Sequence, residues 1–441
     1  MASEWDIVRL GDVVELTTGF PFKSENYVAD GSAPRLLRGD NIAQGRLRWE
    51  GVKRWPSDST TGLDGYWLQS GDVVLAMDRP WIEAGLKYAS ISQSDLPALL
   101  VQRVARLRGK AGVETGFLRY IIGSRAFTEH VLAVQTGTAV PHISSRQIES
   151  FEFRIPSLHE QRAIARILGT LDDKIELNER MNEVLEGMAR ALYKSWFVDF
   201  DPVRAKVESR GTALPRNFAN LFPDSFALAG TREIPTGWSI RAVGELATVT
   251  GGNTPSTREE SYWDGGAHCW ATPKDLSALR TPVLLDTERK ITDAGLAQIA
   301  SGLLPPGTVL MSSRAPIGYL AIAEIPVAIN QGFIAMKATV GVSPLFLLRW
   351  AEWAHDFIVS RANGSTFLEI SKSNFRPISV VTPPDALMNA FDQLVRPLYA
   401  RVVNNELSSK TLAELRDALL PKLLSGELRI GDAEGIIGRS L

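Results

Sequence analysis

Two segments of the chain, 158–197 and 385–424, place apolar residues at alternating spacings of four and three, which is typical of a helix that packs against another helix. In the first segment the stripe consists of Ile164, Leu168, Leu171, Ile175, Asn178, Asn182, Leu185, Ala189, Leu192 and Trp196. In the second it consists of Phe391, Val395, Leu398, Val402, Asn405, Ser409, Leu412, Arg416, Leu419 and Leu423. The pattern predicts two paired helices, each about 60 Å long. Pro397 is expected to bend the second helix or to begin its main run.

The segment between the first helix and the next folded region is rich in proline and is interpreted as a linker. It covers residues 201–235 and contains Pro202, Pro215, Pro223 and Pro235. A fully extended segment of this length reaches about 110 Å, which exceeds the helix length. The chain can therefore return along the first helix, so that an antiparallel pair is feasible.

The chain also contains an internal repeat. Residues 5–19 match residues 238–252, with a tryptophan at the first position, a glycine at the seventh and another glycine at the last. Residues 137–144 match 364–371, and from there the same offset continues without a gap through both predicted helices. A repeat of this length predicts two copies of one structural plan.

Each copy begins with a mixed region. Short β-branched runs such as Asp72–Ala76 and Thr308–Met311 lie between turn residues and predict strands. Phe117–His130 and Pro344–Arg361 predict helices. We expect an α+β protein in which two mixed α/β domains, related by a pseudo-twofold axis, are separated by an antiparallel coiled coil. The expected boundaries are 1–156 for the first domain, 157–200 for the first helix, 201–235 for the linker, 236–383 for the second domain, 384–426 for the second helix and 427–441 for a tail.

Two asparagines interrupt the helical stripes at matching places, Asn178 and Asn405. Occasional polar residues near a bend are one explanation. The other is register: in an antiparallel pair the two side chains would fall within about one turn of each other, and a buried amide pair disfavours shifted alignments at a cost in stability.

Composition and charge restrict the possible functions. Hydrophobic residues make up 44% and charged residues 22% of the chain, as in ordinary globular proteins. Lys and Arg number 48 and Asp and Glu 50, and neither mixed domain has a basic excess. Any DNA-binding face must therefore arise from local clustering, or partner subunits must supply part of the affinity.

The single cysteine, Cys269, excludes an internal disulfide and a thiolate-rich zinc site. A reducing, cytoplasmic location is the expectation. The first residues show no secretory signal pattern, and no uncharged apolar run approaches the ~18 residues of a membrane helix.

Several motifs resemble those of type I restriction-modification specificity subunits. Residues 155–168, Ile-Pro-Ser-Leu-His-Glu-Gln-Arg-Ala-Ile-Ala-Arg-Ile-Leu, resemble the segment that enters the family's conserved helix, and residues 196–206 resemble the segment after it. Residues 419–428, Leu-Leu-Pro-Lys-Leu-Leu-Ser-Gly-Glu-Leu, are similar to its closing motif. The Gly-Asp-Val-Val-Leu and Gly-Thr/Ser…Ile-Ser motifs resemble parts of its target-recognition domains. The second helix departs from the pattern, because it lacks the Glu-Gln pair of the first.

The resemblance implies a non-catalytic subunit in which each target-recognition domain binds one half of a split sequence in double-stranded DNA. It implies that the helices set the spacing and dock DNA methyltransferase subunits, two in the expected complex, with restriction-translocase subunits joining them. S-adenosylmethionine, ATP and Mg²⁺ would belong to those partners, and this chain would hold no cofactor or metal.

Basic and amide side chains are the candidates for DNA contact, because they bind base edges and phosphates. The densest basic stretch of the first half, interleaved with Trp49 and Trp55, supplies Arg35, Arg38, Asn41, Arg46, Arg48 and Arg54. A solvated basic loop would show the same pattern. The corresponding place in the second half supplies Lys274.

Three further groups are candidates, each with a structural alternative. Arg79 and Arg314 follow matching strands, where a shared role or a salt bridge is possible. The loops 137–144 and 364–371 lead into the last strand and can place hydroxyls near a phosphate; their candidates are Thr138, Ser144, Ser365 and Ser371. Asn330 and Gln331 can bind adenine or satisfy buried backbone groups. A fourth group, Arg103, Arg106 and Arg108, alternates along a strand-like run, which predicts that the three share one face; the structural alternative is a solvated edge.

Enzymatic functions find little support in the sequence. It contains no phosphate-binding Gly-x-x-x-x-Gly-Lys-Ser/Thr loop, no Gly-x-Ser-x-Gly elbow and no methyltransferase signature, and its five histidines lack metal spacing. Asp286, Glu288 and Lys290 have the order of a Mg²⁺-dependent nuclease, and this is one alternative. The other is a coiled-coil scaffold that makes no DNA contact.

Overall fold

Both segments with the four-three spacing form continuous helices in the computed structural model, which describes residues 5–137, 139–212, 214–364 and 368–440. The chain divides into unit 1, Met1–Lys174 with Thr411–Leu441, and unit 2, Ile175–Lys410. Each long helix contributes residues to both units. No helix within the described ranges combines the length and apolarity needed to cross a membrane.

The first half of the chain is built from short elements that end in the first long helix. Its strands are β1 (Asp6–Arg9), β2 (Val14–Thr18), β3 (Arg35–Leu37), β4 (Val73–Ala76), β5 (Trp81–Ile82), β6 (Gly85–Leu86), β7 (Tyr88–Ser90), β8 (Ala98–Leu100), β9 (Val104–Gly109) and β10 (Glu152–Ile155). Its helices are α1 (Leu10–Val13), α2 (Thr115–Ile122), α3 (Arg125–Val134), α4 (Ser145–Glu149) and α5 (Leu158–Phe197).

The remainder repeats this plan after a connecting region. The connecting region contains α6 (Asp201–Val207), α7 (Arg216–Ala219), β11 (Phe226–Ala229) and β12 (Arg232–Pro235). The strands that follow are β13 (Ser239–Ala242), β14 (Ala247–Thr250), β15 (His268–Ala271), β16 (Val283–Leu284), β17 (Arg289–Ile291), β18 (Thr308–Ser313), β19 (Ile317–Ala323), β20 (Val327–Ile329), β21 (Phe333–Ala338) and β22 (Ser379–Thr382). The helices are α8 (Val243–Leu246), α9 (Pro273–Ser277), α10 (Asp293–Leu296), α11 (Pro344–Trp353), α12 (His355–Ser360), α13 (Lys372–Phe375), α14 (Asp385–Ser425) and α15 (Ile430–Ser440).

Strand pairing confirms the duplicated α+β plan. In unit 1 the main sheet has the order β2-β9-β4-β7, β3 pairs in parallel with β8, and β1 pairs with β10. In unit 2 the corresponding sheet has the order β14-β21-β18-β19, extended by β16, while β15 pairs in parallel with β20 and β13 pairs with β22. The same pairings at the same places in the order of elements show that the sequence repeat is a structural repeat.

One repeated glycine is required by a close backbone approach in both units. A β-carbon on Gly19 would lie 2.2 Å from the carbonyl oxygen of Val101, and one on Gly252 would lie 1.7 Å from that of Ile329. Neither space admits a side chain. The last position of the repeated N-terminal motif is therefore glycine in each copy for a steric reason.

Two segments that the sequence predicts as single helices are each divided into two helices in the structure. Residues 117–130 fall in α2 and α3, because Gly123 ends the first and the Ser124 hydroxyl caps the second by accepting from the Phe127 amide. Residues 344–361 fall in α11 and α12. The expectation that Pro397 begins the main run of the second long helix is wrong, since α14 begins at Asp385 and continues through it.

The proline-rich connecting region is packed rather than extended. Val203, Phe222 and Ile234 are all buried in the main core of unit 2. The Phe222 ring meets the Trp196 ring edge-on with centroids 4.9 Å apart. The prolines bound the short helices and the β11–β12 hairpin, so a composition typical of a linker here accompanies an ordered segment.

Within unit 2, α5 and α14 pair in an antiparallel sense through a buried amide network. The Asn405 amide donates to the Asn182 side-chain oxygen at 2.8 Å, and the Asn182 amide donates to Glu406 at 2.9 Å. The Asn178 amide donates to the Ser409 hydroxyl at 3.1 Å and to the Asn405 backbone oxygen at 3.4 Å. Asn182 and Asn405 are each only 2% exposed, so the buried amide pair is Asn182–Asn405 rather than Asn178–Asn405.

Ionic and phenolic hydrogen bonds attach the mixed domain of each unit to the long helices. In unit 1 the Tyr120 hydroxyl on α2 donates to Asp172 on α5 at 2.8 Å, and Asp172 also accepts from Arg416 on α14 at 2.9 Å. In unit 2 Arg349 on α11 pairs with Glu186 on α5 at 2.7 Å, with both side chains almost wholly buried. Burial and the neighbouring Asp172 carboxylate raise the pKa of Tyr120, which keeps the phenol a donor at neutral pH.

The Asn182–Asn405 pair predicts a non-additive response to leucine. Asn182→Leu or Asn405→Leu alone leaves the other amide buried without its partner and should lower the free energy of unfolding by about 1–3 kcal/mol. The double variant removes both amides and should be at least as stable as the parent chain. Chemical denaturation of the four proteins measures the coupling. Additive losses in the double variant would show that the two side chains do not act as a pair.

Candidate nucleic-acid interface

The basic stretch after β3 is partly built into the structure of unit 1. The Arg35 guanidinium donates to the Ser94 carbonyl at 2.7 Å and lies 5.3 Å from the centre of the Trp49 ring. Arg54 donates to the Ala33 carbonyl. These two arginines brace the loop, and their donors are partly used within the protein.

Asn41 has a structural role at the turn that follows β3. Its side-chain oxygen accepts from the Arg38 amide at 3.0 Å, and its amide group donates to the Arg48 carbonyl at 3.0 Å. With 7% exposure it is buried. Arg38 itself is partly exposed and lies 3.4 Å from Asp40. The turn therefore presents Arg38 toward solvent while Asn41 holds its shape.

Arg46 and Arg48 are the two exposed arginines of this stretch. They flank Leu47, which packs on an apolar cluster of unit 1. Within the described part of the chain neither forms an ion pair. Because side chains alternate along an extended segment, the two guanidinium groups share one outward face.

The corresponding turn in unit 2 carries less free charge. β15 is followed by α9, whose first residues are held by the Thr272–Asp275 capping box. Lys274 lies at this turn and pairs with Glu288 at 3.0 Å. The two units thus present different electrostatic surfaces at equivalent places.

Arg79 and Arg314 do not occupy equivalent positions, although each follows the matching strand of its own half by a few residues. A β-bridge joins Asp78 to His142 in unit 1, and an equivalent bridge joins Arg314 to Glu369 in unit 2. Arg79, with φ of 45°, instead corresponds to Ala315, with φ of 53°. The repeat therefore pairs Asp78 with Arg314, and the charge at this place changes sign between the units.

Arg79 still belongs to a charged cluster in unit 1. It is exposed, and its backbone amide donates to the Pro141 carbonyl at 2.7 Å. Asp78 lies 2.6 Å from the His142 ring and 3.8 Å from Arg103. Arg103 has a left-handed backbone conformation (φ 68°) and lies just before β9. The strand-like pattern in the sequence therefore does not predict its place in this cluster.

The other two arginines of that run are in β9 and are not solvated. Arg106, whose side chain is 3% exposed, donates to Glu15 and Thr17, each at 2.8 Å. Arg108 pairs with Asp72. Arg106 and Arg108 lie on one face of the strand, as the alternation predicts. On that face they are paired with the carboxylates of Glu15 and Asp72.

The residues that flank the glycine loops before the last strands pair in the same way in both units. Thr136 pairs with His142 across the first loop and Asn363 with Glu369 across the second. Ser144 then caps α4 by accepting from the Gln147 amide at 3.4 Å, and Ser371 caps α13 by accepting from the Asn374 amide at 3.2 Å. Both serines are helix caps. The remaining loop candidates, Thr138 and Ser365, lie outside the described residues.

Asn330 and Gln331 differ in availability. The Asn330 side-chain oxygen accepts from the Gly332 amide at 2.8 Å and so shapes the turn before β21. Gln331 is exposed and accepts from the Thr254 hydroxyl at 2.6 Å. Of the two, Gln331 is the side chain that can reach a base.

The carboxylates with nuclease-like order are neutralised by lysines. Asp286 lies 3.7 Å from Lys290 and 3.4 Å from Lys410, and Glu288 is held by Lys274. Among the described residues there is no cluster of His, Cys, Asp and Glu suited to hold a metal ion. This arrangement gives Mg²⁺ no open set of oxygen ligands.

Comparison with known families matches both halves of the chain. The sequence profile of the type I restriction modification DNA specificity domain matches residues 2–187 and again residues 235–387. The two matches coincide with the two copies of the structural repeat.

Full-length relatives agree with the profile. The type I restriction enzyme MjaIX specificity subunit of Methanocaldococcus jannaschii is 25% identical over 97% of this chain and 94% of its own length. The HindI specificity subunit of Haemophilus influenzae is 27% identical over 71% of this chain and 77% of its own. The solved S subunit of a type I restriction-modification system from M. genitalium is similar in fold, with a TM-score of 0.58 at 15% identity over 95% of this chain and 96% of that one.

The lysine-paired carboxylates predict that the purified chain has no nuclease activity of its own. Incubation with supercoiled plasmid and Mg²⁺ should leave the plasmid intact, as judged by agarose gel. Asp286→Asn with Glu288→Gln should give the same result as the parent chain. Nicking by the parent that the double substitution abolishes would contradict this interpretation.

Proposed function

This chain belongs to the type I restriction modification DNA specificity family and is a specificity subunit, a non-catalytic DNA-recognition component. On this premise we propose that each of its two repeated domains binds one half of a split DNA target. The observation that carries the proposal is the double match of the family profile to two segments with the same strand pairings. Two similar DNA-binding domains in one chain are suited to recognise two short sequences with a gap between them.

The difference between the two surfaces supports recognition of two different half-targets. Unit 1 presents Arg46 and Arg48 after β3, whereas unit 2 presents a Lys274–Glu288 pair at the corresponding turn. At the next shared place the residues are Asp78 and Arg314. Base edges in the major groove differ in their donors and acceptors, so a common scaffold with different side chains selects different bases.

The long helices are suited to two further roles, which are to set the gap between the half-targets and to bind partner subunits. Each contributes residues to both units, and on this basis we assign them the role of setting the gap between the half-targets. The first long helix also carries an outward apolar stripe: Leu177, Val184 and Met188 are all more than half exposed, and Met181 completes the four-three spacing. A stripe of this kind suits a partner helix. Specificity subunits of type I systems bind DNA and assemble with other subunits, and we assign this stripe to DNA methyltransferase subunits, two in the complex, which restriction-translocase subunits join.

Catalysis then belongs to the partners. The methyltransferase subunits would bind S-adenosylmethionine, and the restriction-translocase subunits would use ATP and Mg²⁺. The pairing of Asp286 and Glu288 with lysines gives no support to a nuclease in this chain. A scaffold without DNA contact would have no need of two recognition domains with different basic surfaces.

Alanine substitution of the available cations tests DNA contact. Arg46→Ala with Arg48→Ala, assayed in the complex with methyltransferase subunits, should weaken DNA binding. If both contact phosphate, affinity falls for all sequences and the salt dependence flattens by about one unit per arginine. If one contacts a base, discrimination at a single position falls by about 1–3 kcal/mol instead. Fluorescence anisotropy over a salt series separates the two outcomes.

The matched control is Arg125→Ala, because Arg125 is 92% exposed on α3 and pairs with Glu129. It should bind DNA as the parent does. Unchanged binding by the Arg46/Arg48 variant would remove these arginines from the interface.

A further inference from the structure

Unit 1 contains an apolar cavity at the place where unit 2 holds an aromatic cluster. The cavity measures about 380 Å³ and is lined chiefly by Trp5, Ile164, Leu423, Leu428 and Ile430, with Glu160 and Arg429 also at its wall. Even a dry apolar cavity of about 150 Å³ admits a benzene ring. The space near Trp5 is therefore large enough for an aromatic side chain.

The internal repeat identifies the counterparts of the residues that line this cavity. Trp5 corresponds to Trp238 at the offset of the N-terminal motifs, 233 residues. Ile164 and Leu423 correspond to Phe391 and Trp196 at the offset of the helices, 227 residues. The lining of the cavity thus includes three structural positions that form an aromatic cluster in unit 2.

In unit 2 these positions are covered by further aromatic side chains. Phe200 meets Trp238 edge-on at a centroid distance of 5.5 Å. Phe222 meets Trp196 edge-on at 4.9 Å, and Phe218 lies 6.4 Å from the same ring. Phe222 is 3% exposed, so it is a full member of that core. Edge-on contacts of this kind add stability beyond the area that they bury.

The coverage is missing in unit 1. The counterpart of Phe200 is Glu427, which is exposed, and no described residue of unit 1 takes the place of Phe222. The indole N–H groups of Trp5 and Trp238 both lack an acceptor, so that feature belongs to the repeat and does not distinguish the cavity. The distinguishing feature is the absent aromatic cover.

We propose that the cavity around Trp5 is a docking site for a segment of a partner protein, other than a second copy of this chain, that forms a helical turn and inserts aromatic side chains, as residues 214–222 do in unit 2. In that segment Phe218 lies in α7 and Phe222 follows four residues later, just beyond its end, and Leu214 and Leu221 pack on the same core. A helix that lays apolar residues at this spacing into a groove is a recurrent mode of peptide recognition. The site goes beyond DNA reading and is separate from the exposed stripe of the first long helix.

A peptide taken from the chain itself is the direct probe. A fluorescein-labelled peptide with the sequence of residues 214–224, titrated with the full chain, should show saturable binding by anisotropy. The same peptide with Phe218→Ala and Phe222→Ala should bind at least tenfold more weakly. Since no DNA is present, this result is independent of whether the chain reads a split target.

A cavity-filling substitution locates the bound peptide. Leu423→Trp introduces the residue found at the counterpart position of unit 2, and should raise the Tm of the chain and weaken peptide binding at least tenfold. Ile164→Phe, which introduces the side chain of its counterpart Phe391, is the second variant and should act similarly. Leu228→Trp, at a residue that is 78% exposed in the β11–β12 hairpin, is the matched control and should leave binding unchanged.

Four results would overturn the proposal. They are no saturable binding at millimolar peptide, binding that neither filling substitution reduces, binding that appears only after removal of residues 1–4, and a dimer of the parent chain that Leu423→Trp converts to monomer. The third would show that the chain's own N-terminal residues fill the cavity, and the fourth that a second copy does.

Discussion

The alignment of the two long helices is the constraint on which the rest of the structure depends. A helix pair held only by leucine and valine can slide by a turn at little cost, whereas a buried amide must find its partner. Here Asn182 and Asn405 meet between the helices of unit 2, and Glu406 accepts from Asn182 beside them. A displaced alignment would leave these groups buried and unpaired, at about 1–3 kcal/mol for each group. We therefore expect the polar residues in the seam to lower stability in exchange for a single register.

The mixed domains take their positions from this helix pair through polar contacts as well as apolar packing. Tyr120 reaches Asp172 on the first long helix in unit 1. In unit 2 the direction is reversed, since Tyr399 on the second long helix donates to Glu324 at 2.9 Å. Burial, together with the Glu324 carboxylate, raises the pKa of Tyr399, so this phenol also remains a donor at neutral pH. A recognition domain attached by directional bonds to a stiff element holds its binding surface in a defined orientation.

The architecture could be predicted from the sequence because it depends on periodicity and repetition. The four-three spacing located both long helices, and the repeated Gly19 and Gly252 marked a close approach that exists in both units. The breaks at Gly123 and after Trp353 were missed, because each is a short interruption within an otherwise helical pattern. The order in the proline-rich region was missed because its stability comes from tertiary contacts of Phe222 and Ile234.

The candidate site was harder to predict, since residue type does not reveal which side chains are already used in hydrogen bonds within the fold. Asn41, Ser144 and Ser371 have the chemistry of base or phosphate contacts, yet each holds a turn or caps a helix. Arg46 and Arg48 have the same chemistry and remain exposed. Arg314 is equivalent to Asp78 rather than to Arg79, as the β-bridges of the two units show. The two units thus share a scaffold and differ in the charges that it presents.

If the two repeated domains recognise separate half-targets, as proposed, the DNA sequence that is methylated by a complex of this chain with DNA methyltransferase subunits should contain both of them. The chain would be expressed with its methyltransferase subunits in a host that lacks other DNA methylation, and the modified positions would be mapped across the genome. We expect one split motif, with two short specific parts and a gap of constant length. A single continuous motif, or two parts whose separation varies, would contradict recognition by two domains on a helical spacer.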